Sequence, residues 1–326
     1  MDVRSALPNG SVVEGYRIES LLGRGGFSFT YLATNAARGR FALKEYFPYE
    51  LAVRSGAGHA VDAATTRDRD RFNQYRERVI VEAATLVRFS HPNIVRLHSY
   101  FTANNTVYLV MSYEPGRSLR AWLGDLGRPP SQGELDGLLA PLLAALHVVH
   151  RNRLVHRDVA PDNIHLRSLS DPVLLDFGSA RSPHAVGGGR VTQFVKPGYS
   201  PPEFYDADSS RQGPWSDIYS TAATLYEAVT GNAPPDGRER SVRDPYVSVR
   251  AAPRTAYRAG FLQAIDQALA VDPQSRPRSI PAWQQIMASE RPMDPPGRSP
   301  GGRVPSPARP PGQPPGWIER LVNLLR

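Results

Sequence analysis

The chain has 326 residues, of which 40% are apolar and 21% charged, and it contains no cysteine. That composition supports a packed core in one large or two small domains, and it excludes a disulfide framework and a thiolate metal site. The formal net charge is +8, but the basic residues are scattered arginines rather than a stripe, several of them in a Pro-rich tail, so nucleic acid is not the expected partner.

In chain order, MDVRSALPNGSVVEG lacks the apolar core of a signal peptide. No later apolar run reaches the roughly 18 to 20 residues of a membrane span, so a cytoplasmic location is expected. YRIESLL and FTYLAT flank a Gly-rich turn, and GRFALKEYF follows as a third strand-like run. After a polar insertion, RSGAGHAVDAATTRDRD, the stretch RFNQYRERVIVEAATLVRF has apolar residues at helical spacing, and HPNIVRLHSYF and TVYLVMSY read as two further strands. From Leu119 the pattern turns helical: AWLGDL, ELDGLLAPLLAALHVVH, SDIYSTAATLYEAVTG and GFLQAIDQALAV. Beyond Arg291 the composition shifts to Pro, Gly, Ser and Arg, as in a disordered linker, and the chain closes on WIERLVNLLR.

Gly23, Gly25 and Gly26 between two strand-like runs let backbone amides approach phosphate oxygens, although glycines in a hairpin are more often just a tight turn. Lys44, 21 residues after Gly23, can reach across from the neighbouring strand to bridge phosphates if a carboxylate steadies its stem. Glu82 on the long helix is placed for that, or is an ordinary solvated glutamate. LVHRDVAPDNIHL sets His156, Asp158 and Asn163 in one loop between a helix and a strand, and VLLDFGSAR presents Asp176 after a buried strand. Singly, each carboxylate is also a cap or turn residue. HRD followed at fixed spacing by Asn and then by DFG is too specific a combination for that reading.

These residues resemble the protein kinase family, from about Tyr16 to Met287, and GGFSFTYLA with ALKEYFP looks closest to bacterial serine/threonine kinases. The resemblance implies an α+β, two-lobed fold: a lead at 1–15, a kinase domain at 16–288 with a small β-rich lobe (about 16–113, one long helix) and a larger helical lobe (about 114–288), a linker at 289–316 and a short amphipathic helix at 317–326. It implies transfer of the γ-phosphate of ATP to protein Ser or Thr hydroxyls, with Mg2+, or Mn2+ in its place, and autophosphorylation. Asp158 would accept the substrate hydroxyl proton, Asn163 and Asp176 would hold the metal, and Lys44 would grip phosphates while paired with Glu82. Leu22, Gly23, Arg24, Gly25, Gly26, Phe27, Ser28, Phe29, Thr30 and Ala42 would frame the nucleotide, with Met111 as gatekeeper, the backbone of Ser112 and Glu114 on adenine, and His165 beneath the ring. His156, Arg157, Phe177, Gly178 and Asp217 would support the site, and Glu203 and Arg276 would form a buried ion pair. The alternatives are a nucleotide-binding pseudokinase scaffold and a small-molecule phosphotransferase of related fold.

Three residues depart from the family pattern. Ser28 replaces the third loop glycine, His165 an apolar residue, and Ala160 the lysine that usually contacts the transferred phosphate. The chain has two lysines, Lys44 and Lys196. Lys196 stands, by its spacing from Glu203, where the family usually has the threonine that pairs with that missing lysine. Its compact ammonium is therefore expected to enter the space at Ala160 and supply the charge. Thr192, eleven residues before Glu203, is an expected phosphorylation site that Arg157 would pair with. The closing WIERLVNLLR presents a largely apolar face, too short for a stable free helix, and is expected to dock on a partner, a membrane surface or the kinase itself.

Overall fold

The computed structural model describes residues 5–54, 58–87, 89–177, 195–206, 209–251 and 257–289. Gly178, Thr192 and the 291–326 tail lie outside the described residues, as do the side chains of Glu82, Thr85 and Ser209. Two compact units emerge: Met1–Arg117 with Val173–Ala180, and Ser118–Pro172 with Arg181–Arg326.

The first unit is built on an antiparallel six-stranded sheet. Its strands are β1 (Val12–Val13), β2 (Tyr16–Gly25), β3 (Ser28–Thr34), β4 (Arg40–Tyr46), β7 (Leu97–Ala103) and β8 (Thr106–Ser112), in the order β1-β2-β3-β4-β8-β7. Alternation along β3 and β4 drives one face inward: Phe29, Tyr31 and Leu43 are fully buried, with Phe72, Val107, Tyr108 and Val110 packed in the same core. The register sets Lys44 opposite Thr30 on β3 and Leu109 on β8. Helix α1 (Arg69–Leu86) packs on β7 and β8.

The polar insertion holds more structure than its composition suggests. It folds as a hairpin of β5 (Ala52–Arg54) and β6 (Val61–Ala63). Val61 is fully buried and its N–H donates to Asn104 O at 2.8 Å. The Arg54 guanidinium reaches Glu45 Oε2 at 2.6 Å, and Glu45, wholly buried on β4, also accepts from Tyr31 OH at 2.8 Å and Tyr108 OH at 2.6 Å. A buried carboxylate with three donors, one of them charged, is the arrangement that makes its desolvation tolerable.

The second unit is mainly helical. After β9 (Arg117–Ser118), Ser118 caps α2 (Leu119–Leu126), which ends on Gly127 at φ 64°. Ser131 and Glu134 form a reciprocal capping box on α3 (Gln132–Arg151), whose stripe Leu135, Leu138, Leu139, Leu142, Leu146 and Val149 is buried at helical spacing. Strands β10 (Ile164–Ser168) and β11 (Asp171–Leu174) follow. The chain continues through α4 (Pro214–Thr230), α5 (Gly237–Val242), α6 (Ala259–Ala268) and α7 (Ile280–Ala288). Helix α4 is buried along nearly its whole length, and Trp283 of α7, fully buried, donates Nε1–H to Ala264 O at 2.8 Å. No helix among the described residues is long and apolar enough to cross a membrane.

Candidate active site

In the first unit, β2 and β3 are joined by a two-residue turn, Gly26–Phe27, with Gly25 opposite Ser28. Gly23, Arg24, Gly25 and Gly26 are exposed, as is Leu22. The turn is held from its flanks: the Arg24 guanidinium lies 3.6 Å from the centre of the Tyr49 ring, the Phe27 ring meets Tyr75 of α1 edge-on, and Tyr49 OH donates to Ser28 O at 3.5 Å. Ser28 is buried, and a Cβ added at Gly25 would approach its Oγ to 3.2 Å. Phe29, fully buried against Phe47 and Tyr49, seats the hairpin in the core.

Lys44 forms an ion pair with Asp176, which follows β11. Asp176 adopts φ 55°, the left-handed region that costs a non-glycine residue about 1–2 kcal/mol. Glu82, the partner expected for Lys44, lies on α1. A cavity of about 30 Å³ is lined by Lys44, Met111, Leu109, Asp176 and Phe177 among others, and Phe177 is buried beside Phe89. Ala42 pairs with Met111 across β4 and β8, and Ser112 donates its N–H to Arg96 O at 2.9 Å. Glu114 follows β8 as a half-buried residue.

In the second unit, the loop between α3 and β10 is organised by one carboxylate. Asp217 of α4, wholly buried, accepts from His156 N and Arg157 N at 2.8 Å each, and its Oδ2 lies 2.8 Å from His150 Nε2. Burial alone would raise this carboxyl, but the His150 hydrogen bond and the charges of His150 and His156 hold it below its ordinary value. Arg157 adopts φ 70°, with its guanidinium 5.3 Å from the centre of the Phe204 ring. Asp158 N donates to His156 Nδ1 at 3.3 Å, and Asn163 Nδ2 donates to Asp158 O at 2.8 Å. That bond uses the Asn163 side-chain nitrogen as a donor, and its side-chain oxygen is an acceptor. His165 is half-buried on β10.

Lys196 Nζ lies 3.0 Å from Asp158 Oδ1, with the two side chains 34% and 21% exposed, while Ala160 is completely buried. The segment carrying Lys196 is tightly wound: Lys196 N donates to Ser200 Oγ at 2.7 Å, and Tyr199 N and Ser200 N both donate to Lys196 O at 2.9 Å. The turn needs Gly198 at φ 83°, where a Cβ would meet Ala233 Cβ and Pro234 O at 3.0 Å each. Downstream, Glu203 and Arg276 form a two-bonded pair (2.7 and 3.0 Å) with both side chains fully buried. Ser216 Oγ, Ala270 O and Val271 O satisfy the remaining capacity of that pair.

Sequence reasoning did not single out His150, Ser200, Ser216 or Glu45. Their roles come from contacts across 4 to 67 positions, for which local pattern carries no signal.

The family model of the protein kinase domain matches residues 16–290. The chain is 30% identical over 289 residues to serine/threonine-protein kinase C of Synechocystis sp., covering 83% of this chain and 49% of that protein. It is 30% identical over 287 residues to serine/threonine-protein kinase PknD of Mycobacterium tuberculosis, covering 86% and 37%. It therefore spans half or less of the length of these curated relatives. Among solved structures, the apo form of PpkA-294 superposes with a TM-score of 0.76 at 30% identity, over 87% of this chain and 99% of that one.

Proposed function

The chain belongs to the protein kinase family, and from that premise we propose that it transfers the γ-phosphate of ATP to serine or threonine hydroxyls of proteins, its own among them. The observation that carries the reading is the Asp158 cluster: a carboxylate on a loop pinned by buried Asp217, steadied by Asn163 and facing a lysine ammonium. Phosphoryl transfer asks little covalent chemistry of a protein and much positioning and charge neutralisation. Asp158 orients the acceptor hydroxyl and takes its proton.

Lys44 grips nucleotide phosphates. Its present pairing with Asp176 supports that role, because it shows the ammonium already facing anionic oxygen. Exposed Gly23, Gly25 and Gly26 offer backbone amides from a turn whose flanks are fixed. The Asp176 carboxylate in the first unit and the Asn163 amide oxygen in the second are each a hard donor of the kind Mg2+ accepts alongside water and phosphate oxygens, so each residue by its chemistry fits that ion. When bound, it would neutralise charge on the phosphates. Lys196 supplies the cation that Ala160 does not carry, a reading supported by its 3.0 Å approach to Asp158.

The test is incubation with γ-labelled ATP and Mg2+, followed by phosphoamino-acid analysis, with Asp158→Asn as control. Label on Ser or Thr that the control loses is the expected result. Nucleotide binding without transfer would identify a scaffold, and transfer only to small molecules a different phosphotransferase.

A further inference from the structure

Arg120, at the start of α2, makes contacts that no motif explains. Its Nη1 pairs with Glu227 Oε1 of α4, its Nη2 donates to Tyr199 OH at 2.8 Å, and Nη2 stands 3.3 Å from Asp162 Oδ2. Tyr199 OH in turn donates to Glu227 Oε2 at 2.6 Å. Burial first, and then the Glu227 hydrogen bond, push the Tyr199 phenol up to about 12, so it remains a neutral donor. One guanidinium is thus shared among the loop that carries Asp158, the segment that carries Lys196, and α4.

This cluster lies where a protein substrate must pass. Asp162 is four residues beyond Asp158 on the same loop, within about 15 Å at full extension. Tyr199 is tied to Lys196 O by its N–H at 2.9 Å, and Lys196 touches Asp158. An extended peptide advances roughly 3.3 Å per residue, so a hydroxyl presented at Asp158 brings its neighbours, within about four positions, past Arg120. The cluster is open to them: Arg120 is 39% exposed and Asp162 50%, while Glu227, at 15%, is closed off beneath the guanidinium.

We propose that Arg120 is a specificity-determining residue: its guanidinium occupies, from within the chain, the carboxylate pair that would otherwise select a basic residue beside the acceptor, so this kinase takes substrates without a basic requirement there. The inference rests on the protein-kinase reading above. A substrate arginine entering this place must displace an internal guanidinium that is already bonded to Glu227 and Tyr199, and so gains nothing net. Without Arg120, two carboxylates and a phenol are left for one incoming cation, the arrangement to which guanidinium binds most strongly.

The experiment uses the full chain and peptides with one acceptor serine in an alanine background, arginine being scanned over five positions on either side. For the wild-type protein, arginine in place of alanine is expected to change kcat/KM by less than about threefold at every position. For Arg120→Ala, and for Arg120→Gln in case the smaller side chain impairs folding, one position should gain about tenfold for arginine, a gain removed by adding Glu227→Gln. Anisotropy of the same peptides, fluorescently labelled, reads the same selectivity from binding alone. Absence of transfer overturns the proposed function while binding still decides this inference. The inference is overturned if the wild-type protein already favours arginine tenfold at a scanned position, or if a folded Arg120 variant keeps a flat profile.

Discussion

The Lys196 ammonium sits 3.0 Å from the Asp158 carboxylate, so a cation from a separate segment meets the loop that carries Ala160. The turn that carries it is tied by hydrogen bonds between Lys196 and Ser200 and needs the positive φ of Gly198. Asp158 is held at its backbone by Asn163 and at its side chain by Lys196.

If that ammonium neutralises charge growing on the transferring phosphoryl group, Lys196→Ala slows turnover by roughly 10²- to 10³-fold, the size of one preorganised transition-state contact, with little change in ATP affinity. Lys196→Met, similar in length without charge, should be as slow, and Lys196→Arg should recover only part. Relocation is the sharper measurement: Ala160→Lys added to Lys196→Thr should restore much of the rate lost in Lys196→Thr. A folded double variant no faster than the single one would sink the idea that the charge has moved.

Asp217 gives a pH prediction with a definite sign. Its folded-state carboxyl titrates below the unfolded value near 3.9, so it adds stability at all pH above that value, and the contribution is lost as pH falls through the lower folded-state pKa. The stability gap between wild type and Asp217→Asn, from urea unfolding, should shrink as pH falls below about pH 4. A gap that widens in acid would contradict the depressed carboxyl.

Glu203 and Arg276 are both fully buried and bonded to each other twice, so removing one partner strands the other charge. Arg276→Met should cost about 3–5 kcal/mol in denaturant unfolding. Glu203→Leu with Arg276→Met should cost clearly less than either single change, since no buried charge is left unpaired. Strictly additive losses in that cycle would show that the two side chains act independently.

What the sequence made legible was what local pattern encodes. Alternation in FTYLAT and FALKEYF placed β3 and β4, helical spacing placed α3 and α4, and the spacing of Asp158, Asn163 and Asp176 carried the resemblance to protein kinases that implied phosphoryl transfer. The β5–β6 hairpin escaped, because distant partners hold it: Val61 packs in the sheet core and donates its N–H to Asn104 O, and Arg54 reaches Glu45 and Ser5 O. Helix α5, of six residues, is too short to show a period. Arg120, Asp162, Tyr199 and Glu227 come together from four separate elements, and no spacing could have joined them.

The Glu45 cluster carries the last prediction. Glu45 is wholly buried and its two oxygens are shared among Arg54, Tyr31 and Tyr108. Arg54 also donates to Ser5 O and His59 O at 2.6 Å each, and Tyr31 OH accepts from Leu7 N at 3.0 Å, so the cluster ties the lead segment and the hairpin to the strand that bears Lys44. Burial pushes both phenols far above their ordinary range, which keeps them protonated donors at any working pH. Arg54→Met leaves the carboxylate without its charged partner and should cost about 3–5 kcal/mol. Tyr31→Phe removes one hydrogen bond to a charged group and should cost about 1.5–3 kcal/mol. Glu45→Leu combined with Arg54→Met removes both charges and should recover much of the Arg54→Met loss. Urea unfolding of the four proteins decides it: an Arg54→Met loss no larger than that of Tyr31→Phe, or a double variant no more stable than Arg54→Met, would show that the Glu45–Arg54 charge pair does not organise this face of the sheet.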